Sequence, residues 1–217
     1  MSSTHQAELK RRAARKRSPS KWDTLTDWAR AQGSVILRPV ANAMGRLGLH
    51  PNTVTLLGML LQTGVGVVFG LGHLRLGGWL LLAVAPVDAL DGLLARVLGK
   101  QSTFGAFLDS TVDRISDAAL ILGLTAHYIR QGAHLEVALL LTSLVAVMMI
   151  SYIRARAEAV GYCCKVGLLT RMERILLIGV LSALGLHTVM VWALALLSVF
   201  TVIQRILYVY KVASQTE

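Results

Sequence analysis

Four aspartates stand in an otherwise apolar stretch, in two pairs whose spacing suits one face of a helix. Asp88 and Asp91 are three residues apart, and Asp109 and Asp113 are four apart. Helical residues at these spacings lie one turn apart on the same side. Two neighbouring antiparallel helices would therefore direct all four carboxylates toward a common point.

Such a cluster needs cations, because neighbouring carboxylates repel one another unless they take up protons or bind metal ions. Ligation by oxygen alone favours Mg²⁺, Mn²⁺ or Ca²⁺ over zinc, which prefers histidine and cysteine ligands. Two divalent ions would neutralise the four charges, and paired ions suit transfer at phosphorus. The spacing therefore predicts a polynuclear metal centre.

The sequence that must position this cluster is apolar enough to lie in a membrane. It is 54% hydrophobic and only 16% charged, whereas a soluble domain usually carries about 25% charge. We predict an all-α integral membrane protein with six transmembrane helices, each near the roughly 20 residues that cross a bilayer. Carboxylates at bilayer depth are costly, which makes the aspartates functional candidates. The predicted spans are about 54–74, 77–98, 103–129, 135–159, 171–186 and 189–211.

The segment before the first span differs in composition from the rest. We expect a basic mobile arm at 1–20, an amphipathic interfacial helix at 21–50 and the membrane domain at 51–217. Ten of the 22 Lys and Arg residues precede residue 50. Beside membrane spans, their expected partners are anionic lipid headgroups rather than nucleic acid. A soluble amphipathic helix packed on the bundle is the alternative for 21–50.

The distribution of basic residues also predicts the orientation. They concentrate before the first span and near the turns after the second and fourth, whereas the outer turns keep only Arg75 and Arg130. By the positive-inside rule, both termini and the aspartates then face the cytoplasm of a multi-pass cell-membrane protein. Adjacent cysteines rarely pair with each other, so Cys163 and Cys164 are interpreted as reduced thiols in a reducing compartment.

The pattern around the aspartates resembles a family signature. The matching residues are Asp88-x-x-Asp91-Gly92-x-x-Ala95-Arg96, eight further residues, and Gly105-x-x-x-Asp109-x-x-x-Asp113. This pattern is similar to the complete signature of the CDP-alcohol phosphatidyltransferase family. The resemblance implies a six-helix membrane enzyme, usually a homodimer, with two divalent metals at its cytoplasmic side. Such enzymes displace CMP from a CDP-linked lipid with an alcohol, and we expect Mg²⁺, with Mn²⁺ as the alternative.

The same resemblance implies a role for each matching position. The first three aspartates would ligate metal, and Asp113 would be both a ligand and the base that deprotonates the acceptor hydroxyl. Arg96 would offer its guanidinium to the diphosphate, and Gly92 would let the nucleotide approach the backbone. The residues expected to hold the CDP-lipid are Asn52, Thr53, Val54, Thr55, Gly92, Arg96 and Ser102.

A group of arginines outside the signature bears on the acceptor. Arg154, Arg174 and Arg205 lie far apart in the sequence, yet the predicted topology places them on one membrane side. Arg205 interrupts an apolar span, where a charge is tolerated only beside a cavity or a partner. The alternative for each arginine is that it extends to the lipid headgroups.

The surroundings of these arginines resemble the phosphatidylinositol-phosphate synthase branch of the family. The resemblance rests on SYIRARAEA, Met172-Glu173-Arg174 and Gln204-Arg205. It implies that the three arginines bind the phosphate of inositol 1-phosphate. The sequence departs from the branch at Arg154, where lysine is common, and at Thr170, where an acidic residue is common.

We therefore predict a transferase that joins inositol 1-phosphate to CDP-diacylglycerol and releases CMP. Glycerol 3-phosphate is an alternative acceptor, which would give phosphatidylglycerol phosphate, and an archaeal-type dialkyl lipid is an alternative donor. A divalent-cation transporter is an alternative of another class, but it would need no basic pocket. A nucleic-acid-binding membrane anchor has only the N-terminal charge run in its favour.

Overall fold

The structure is a computed structural model that describes residues 38–40, 42–164 and 166–215. The predicted basic arm at 1–20 lies outside the described residues, as does most of the predicted interfacial helix at 21–50. Within that segment, residues 38–40 and 42–46 are helical. The two predictions for the N-terminal segment therefore stay predictions.

All regular secondary structure in the described ranges is helical, which confirms the all-α prediction. After residue 50 the helices are α1 Pro51–Gly70, α2 Leu74–Val84, α3 Val87–Val97, α4 Thr103–Arg130, α5 His134–Ala159, α6 Arg171–Ala183 and α7 His187–Ser214.

Three of these helices, α1, α5 and α7, are long and apolar enough to cross a bilayer. The helix α4 is as long as α7, with 28 residues. It carries four charged residues between positions 109 and 117, namely Asp109, Asp113, Arg114 and Asp117. The chain is a membrane protein whose charged side chains are concentrated on particular helices.

The predicted second span at 77–98 is two helices rather than one. The first ends at Val84 and the second begins at Val87. Between them, Pro86 has no N–H to donate to the preceding turn, and its ring crowds that turn, so a continuous helix is interrupted. The break leaves Asp88 in the first turn of α3, where the helix dipole favours a carboxylate.

The helices α1 and α4 pack closely through two glycines. A Cβ atom on Gly66 would lie 2.5 Å from the backbone oxygen of Ala119, and one on Gly123 would overlap the backbone of Gly66. Small residues allow such close backbone approach between membrane helices. The close crossing fixes α4, which carries two of the predicted ligands, against α1.

The buried core secures the remaining helices around this crossing. A smaller apolar cluster, formed by Val54 of α1 with Leu90 and Leu94 of α3, holds α3 against α1. The main core draws on α1, α2, α4, α5, α6 and α7, and fully buried examples are Phe69, Leu81, Leu124, Leu140 and Leu194. Both aspartate-bearing helices are thus packed on α1.

Candidate active site

The acidic helices α3 and α4 share a cation, Arg171, which is the first residue of α6. Its Nη2 atom donates to Asp88 Oδ2 at 2.6 Å. Its Nη1 atom lies 3.1 Å from Asp113 Oδ1 and 3.6 Å from Asp117 Oδ1, and it donates to the Asp113 backbone oxygen at 2.6 Å. One guanidinium therefore bridges carboxylates of two helices.

A fully buried glutamine of α1 fixes this bridge. Gln62 Nε2 donates to both carboxylate oxygens of Asp88, at 2.8 and 2.7 Å. Its Oε1 accepts from Arg171 Nη2 at 3.1 Å. The amide nitrogen faces the anion and the amide oxygen faces the cation, so the amide has only one favourable orientation. Gln62 therefore orients Asp88 and Arg171 together.

The second aspartate of α3 is also held by α1. Asp91 is buried, and its Oδ2 accepts from the Thr55 hydroxyl at 2.6 Å. Its Oδ1 accepts from the backbone N–H of Gly92. Thr55 was predicted to hold the CDP-lipid, and its hydroxyl contacts a predicted metal ligand. The contact therefore joins the predicted CDP-lipid region at the start of α1 directly to the acidic cluster.

The four predicted metal ligands lie close enough to interact electrostatically. Asp91 is repelled by Asp88 and Asp109, and Asp113 is repelled by the same two residues. Among the described residues, no three His, Cys, Asp or Glu side chains form a ready metal-ligating group. Three of the four carboxylates instead contact other side chains: Asp91 contacts Thr55, Asp88 contacts Gln62 and Arg171, and Asp113 contacts Arg171. Their chemistry, oxygen donors with surplus negative charge, still fits hard divalent ions, so the metal assignment stays a prediction.

The predicted CDP-lipid residues Asn52 and Ser102 lie at neighbouring helix N-termini. Ser102 caps α4, where its Oγ accepts from the Gly105 N–H at 2.9 Å. A Cβ atom on Gly105 would lie 3.0 Å from Ser102 Oγ and 3.4 Å from Asn52 Oδ1. Free backbone N–H groups at helix N-termini favour phosphate. Thr53 is exposed at the same end of α1, whereas the Val54 side chain is buried in the apolar cluster.

The face of α3 that carries Gly92 and Arg96 is open. Both residues are exposed, and the nearest atom to a Cβ built on Gly92 would be Arg96 Nη2 at 3.9 Å. Residues four apart share one helix face. Free space at Gly92, where the nucleotide was predicted to approach, therefore lies beside the Arg96 guanidinium that was predicted to contact the diphosphate.

Of the three predicted acceptor arginines, Arg174 is the most buried. It is 3% exposed and pairs with Asp117 of α4, which is 2% exposed. Its Nε atom is buried without a hydrogen-bond partner among the described residues. Arg174 thus retains one unused donor within the protein interior.

The other two predicted acceptor arginines are held differently. Arg205 is buried, and its guanidinium donates to the backbone oxygens of Val166 and Ile150. Arg154 pairs with Glu158 at 3.0 Å on the surface of α5. Arg205 interacts electrostatically with both Arg154 and Arg174. The structure thus brings Arg154 and Arg174 within electrostatic range of Arg205, although each of the three guanidinium groups also contacts an oxygen of the protein.

Three residues of this network were missed by the sequence analysis, namely Gln62, Asp117 and Arg171. Each had a signal in the sequence. Gln62 is a polar residue inside an apolar span, Asp117 follows Asp113 by one turn, and Arg171 begins the segment that contains Arg174. Their contacts join α1, α4 and α6, which only the fold brings together.

The fold and the site define a helical membrane protein with an acidic centre bordered by arginines, an arrangement suited to substrates that carry phosphate. The sequence model of the CDP-alcohol phosphatidyltransferase family matches residues 48–204. The chain belongs to this family of transferases, which confirms the resemblance predicted from the signature.

Relatives in bacteria and archaea are similar over most of the chain. An archaetidylinositol phosphate synthase of Methanothermobacter thermautotrophicus is 39% identical over 186 residues, covering 82% of this chain and 91% of the relative. A phosphatidylinositol phosphate synthase of Corynebacterium glutamicum is 39% identical over 191 residues, covering 84% and 87%.

Solved structures share the fold as well. The phosphatidylinositol phosphate synthase of Mycobacterium tuberculosis with CDP-DAG bound matches with a TM-score of 0.74 and 35% identity, over 79% of this chain and 92% of that one. A structure of the same enzyme with manganese and citrate matches with a TM-score of 0.73 and 36% identity, over 79% and 88%.

Proposed function

We propose that this transferase joins inositol 1-phosphate to CDP-diacylglycerol, giving phosphatidylinositol phosphate and CMP. The observation that carries the proposal is that Arg205 interacts electrostatically with Arg154 and Arg174, and that Arg174 pairs with Asp117, one turn after Asp113 on α4. A phosphorylated acceptor needs such a basic region, whereas a neutral alcohol does not.

The comparisons support the acceptor and the donor to different degrees. The names of the archaeal and bacterial relatives differ in the lipid, but both include inositol phosphate. The solved structure with CDP-DAG supports a CDP-activated diacyl lipid as donor. The acceptor is therefore common to both groups of relatives, while the lipid part varies between them.

Asp88, Asp91, Asp109 and Asp113 are proposed to hold two Mg²⁺ ions, with Mn²⁺ as the alternative. The solved structure that contains manganese supports a divalent ion here. When bound, the ions would neutralise charge on the diphosphate and lower the pKa of the acceptor hydroxyl. The four ligands come from two helices that α1 holds at a fixed spacing.

The remaining steps belong to side chains of the chain. Asp113 takes the proton of the acceptor hydroxyl, whose oxygen bonds to the lipid-bearing phosphorus while the P–O bond to CMP breaks. Arg96, beside the open space at Gly92, holds the diphosphate. Asn52 and Ser102 orient the nucleotide from the helix N-termini. Positioning and charge neutralisation supply most of the rate enhancement.

The membrane arrangement that we propose has six crossing segments. The pair α2 and α3 forms one segment that is interrupted at Pro86, and α6 forms a short one. The basic residues before residue 50 support cytoplasmic termini and a cytoplasmic active site at the cell membrane. The arm at 1–20 and the helix at 21–50 would contact anionic lipids, and residues 51–217 would form the catalytic domain of a homodimer.

The proposal is tested with purified protein, labelled CDP-diacylglycerol and Mg²⁺. Inositol 1-phosphate, glycerol 3-phosphate and free inositol are supplied separately, and the lipid products are resolved by mass spectrometry. We expect CMP release and a new lipid with inositol 1-phosphate alone. Lipid product from glycerol 3-phosphate alone would overturn the acceptor assignment. A parallel reaction with a dialkyl CDP-lipid tests the donor.

A further inference from the structure

Arg171 contacts the same carboxylates that the proposed function assigns to metal. It lies 2.6 Å from Asp88 Oδ2 and 3.1 Å from Asp113 Oδ1. The three side chains come from α6, α3 and α4, and each is at least three-quarters withdrawn from solvent. Attraction between partly buried charges is screened less than attraction at the surface. The guanidinium therefore acts as a strong counter-ion of the cluster.

A divalent ion on these carboxylates would have to replace the contacts of Arg171. Mg²⁺ binds carboxylate oxygens at about 2.0–2.1 Å and demands nearly octahedral geometry. Both oxygens of Asp88 are already engaged, because Gln62 donates to each of them and Arg171 to one. A guanidinium and a divalent ion on the same oxygens would also repel each other. The two cations therefore compete for the carboxylates of Asp88 and Asp113.

The structure also contains a partner that can keep Arg171 nearby after it leaves these carboxylates. Asp117 is buried, and its Oδ1 lies 3.6 Å from Arg171 Nη1. It already pairs with Arg174 through its other oxygen. A buried arginine needs an anionic partner, and Asp117 can supply one.

We propose that Arg171 is a built-in competitor of the divalent ions, and that metal binding moves its guanidinium from Asp88 and Asp113 toward Asp117. This inference rests on the proposed function, because it takes these two aspartates as metal ligands. The arginine keeps the carboxylates paired and placed between turnovers, and it sets the metal concentration at which the centre fills.

The test is Mn²⁺ binding to the full-length protein in detergent, measured by electron paramagnetic resonance without substrate. Arg171→Gln should bind Mn²⁺ on the order of tenfold more tightly than the wild type, because one competing positive charge is gone. Arg171→Lys should stay near the wild type. Arg114→Gln is the matched control. Among the described residues Arg114 forms an ion pair with Asp113 alone, at 3.5 Å, so its loss should shift the affinity less.

Unchanged or weaker Mn²⁺ binding in Arg171→Gln, in a protein where Asp88→Asn weakens binding, would overturn the competition and leave the proposed function intact. If Asp88→Asn and Asp113→Asn bind Mn²⁺ like the wild type, the metal assignment itself fails, and this inference fails with it.

A second measurement follows Arg171 in the wild-type protein, where its charge is retained. The ¹⁵Nε signal of Arg171 in the wild type, assigned by its absence in Arg171→Lys, is followed during titration with diamagnetic Mg²⁺. We expect it to shift as the site fills, and to stay fixed when Asp88→Asn is titrated. An Arg171 signal that is unmoved in the wild type at saturating Mg²⁺ would contradict the proposal.

Discussion

Asp117 of α4 and Arg174 of α6 form an ion pair that is almost fully withdrawn from solvent, with 2% and 3% of each residue exposed. The same carboxylate lies 3.6 Å from Arg171, three residues earlier on α6. One buried anion therefore orients two cations. One of them faces the acidic centre, and the other belongs to the proposed acceptor region.

Replacing Asp117 by Asn should harm both stability and acceptor binding. A buried pair that loses one partner typically costs about 3–5 kcal/mol, because the other charge is left uncompensated. We expect a lower unfolding temperature in detergent and a KM that rises more for the phosphorylated acceptor than for the CDP-lipid. Glu158→Gln, which breaks the half-exposed pair with Arg154, should cost at most about 1 kcal/mol. Equal stability losses in the two variants would contradict this prediction.

The sequence predicted the positions of the aspartates on their helices but not the partners of their carboxylates. The spacing of the aspartates predicted that each pair lies on one face of its helix, because helical periodicity is a local property. The partners of the carboxylates come from distant parts of the sequence. Gln62 and Arg171, which both contact Asp88, are 109 residues apart. Spacing along one helix cannot predict such contacts, because they depend on how all the helices pack together.

The predicted second span is broken at Pro86, although the apolar pattern of the sequence indicates a continuous span. The run on both sides of Pro86 stays hydrophobic, so its composition predicts one span. Proline inside a membrane helix is tolerated when neighbouring groups satisfy the freed backbone, which makes its position ambiguous from sequence alone. The structure resolves the ambiguity by ending α2 at Val84.

Thr55→Val, which changes the size of the side chain little, should weaken the proposed metal centre. The hydroxyl that donates to Asp91 at 2.6 Å is lost, and among the described residues the buried carboxylate then keeps its contact with the Gly92 N–H alone. Loss of a group that orients a metal ligand typically costs about 10–100-fold in metal affinity or activity. The Mg²⁺ dependence of CMP release measures this effect. Thr111→Val should behave like the wild type, because Thr111 is an exposed residue of α4 whose hydroxyl donates to the Phe107 backbone oxygen of its own helix.

Asp113→Asn removes the proposed base and should reduce CMP release by roughly 10²–10⁴-fold, the usual contribution of a positioned base. Asparagine keeps the shape of the side chain, so binding of the CDP-lipid should change less than turnover. Ser110→Ala, on the exposed side of α4, serves as the control. Full CMP-releasing activity of Asp113→Asn in liposomes would show that another group takes the proton.

The two cysteines should react at different rates with N-ethylmaleimide. Cys164 is fully buried, and burial raises the pKa of its thiol despite the nearby Arg205 and Arg154. Less thiolate is then present at neutral pH, and a thiol reacts as the thiolate. Cys163 is only partly buried. Mass spectrometry at pH 7.5 should show one rapid adduct, lost in Cys163→Ser and kept in Cys164→Ser; rapid labelling of both residues would contradict the expected difference.

Two glycines of α1, two residues apart, should respond in opposite ways to alanine. At Gly66 a Cβ atom would lie 2.5 Å from the Ala119 backbone oxygen, whereas at Gly64 it would meet nothing within 4 Å. Gly66→Ala must separate α1 from α4, and overpacking of this kind costs about 1–3 kcal/mol. The separation would also move Thr55 and Gln62 away from the aspartates, so activity should fall with stability.

Gly64→Ala should leave activity unchanged and raise the unfolding temperature slightly, because alanine favours the helix by about 1 kcal/mol. Thermal unfolding and CMP release of both variants test whether the α1–α4 crossing positions the site; equal effects would show that it does not.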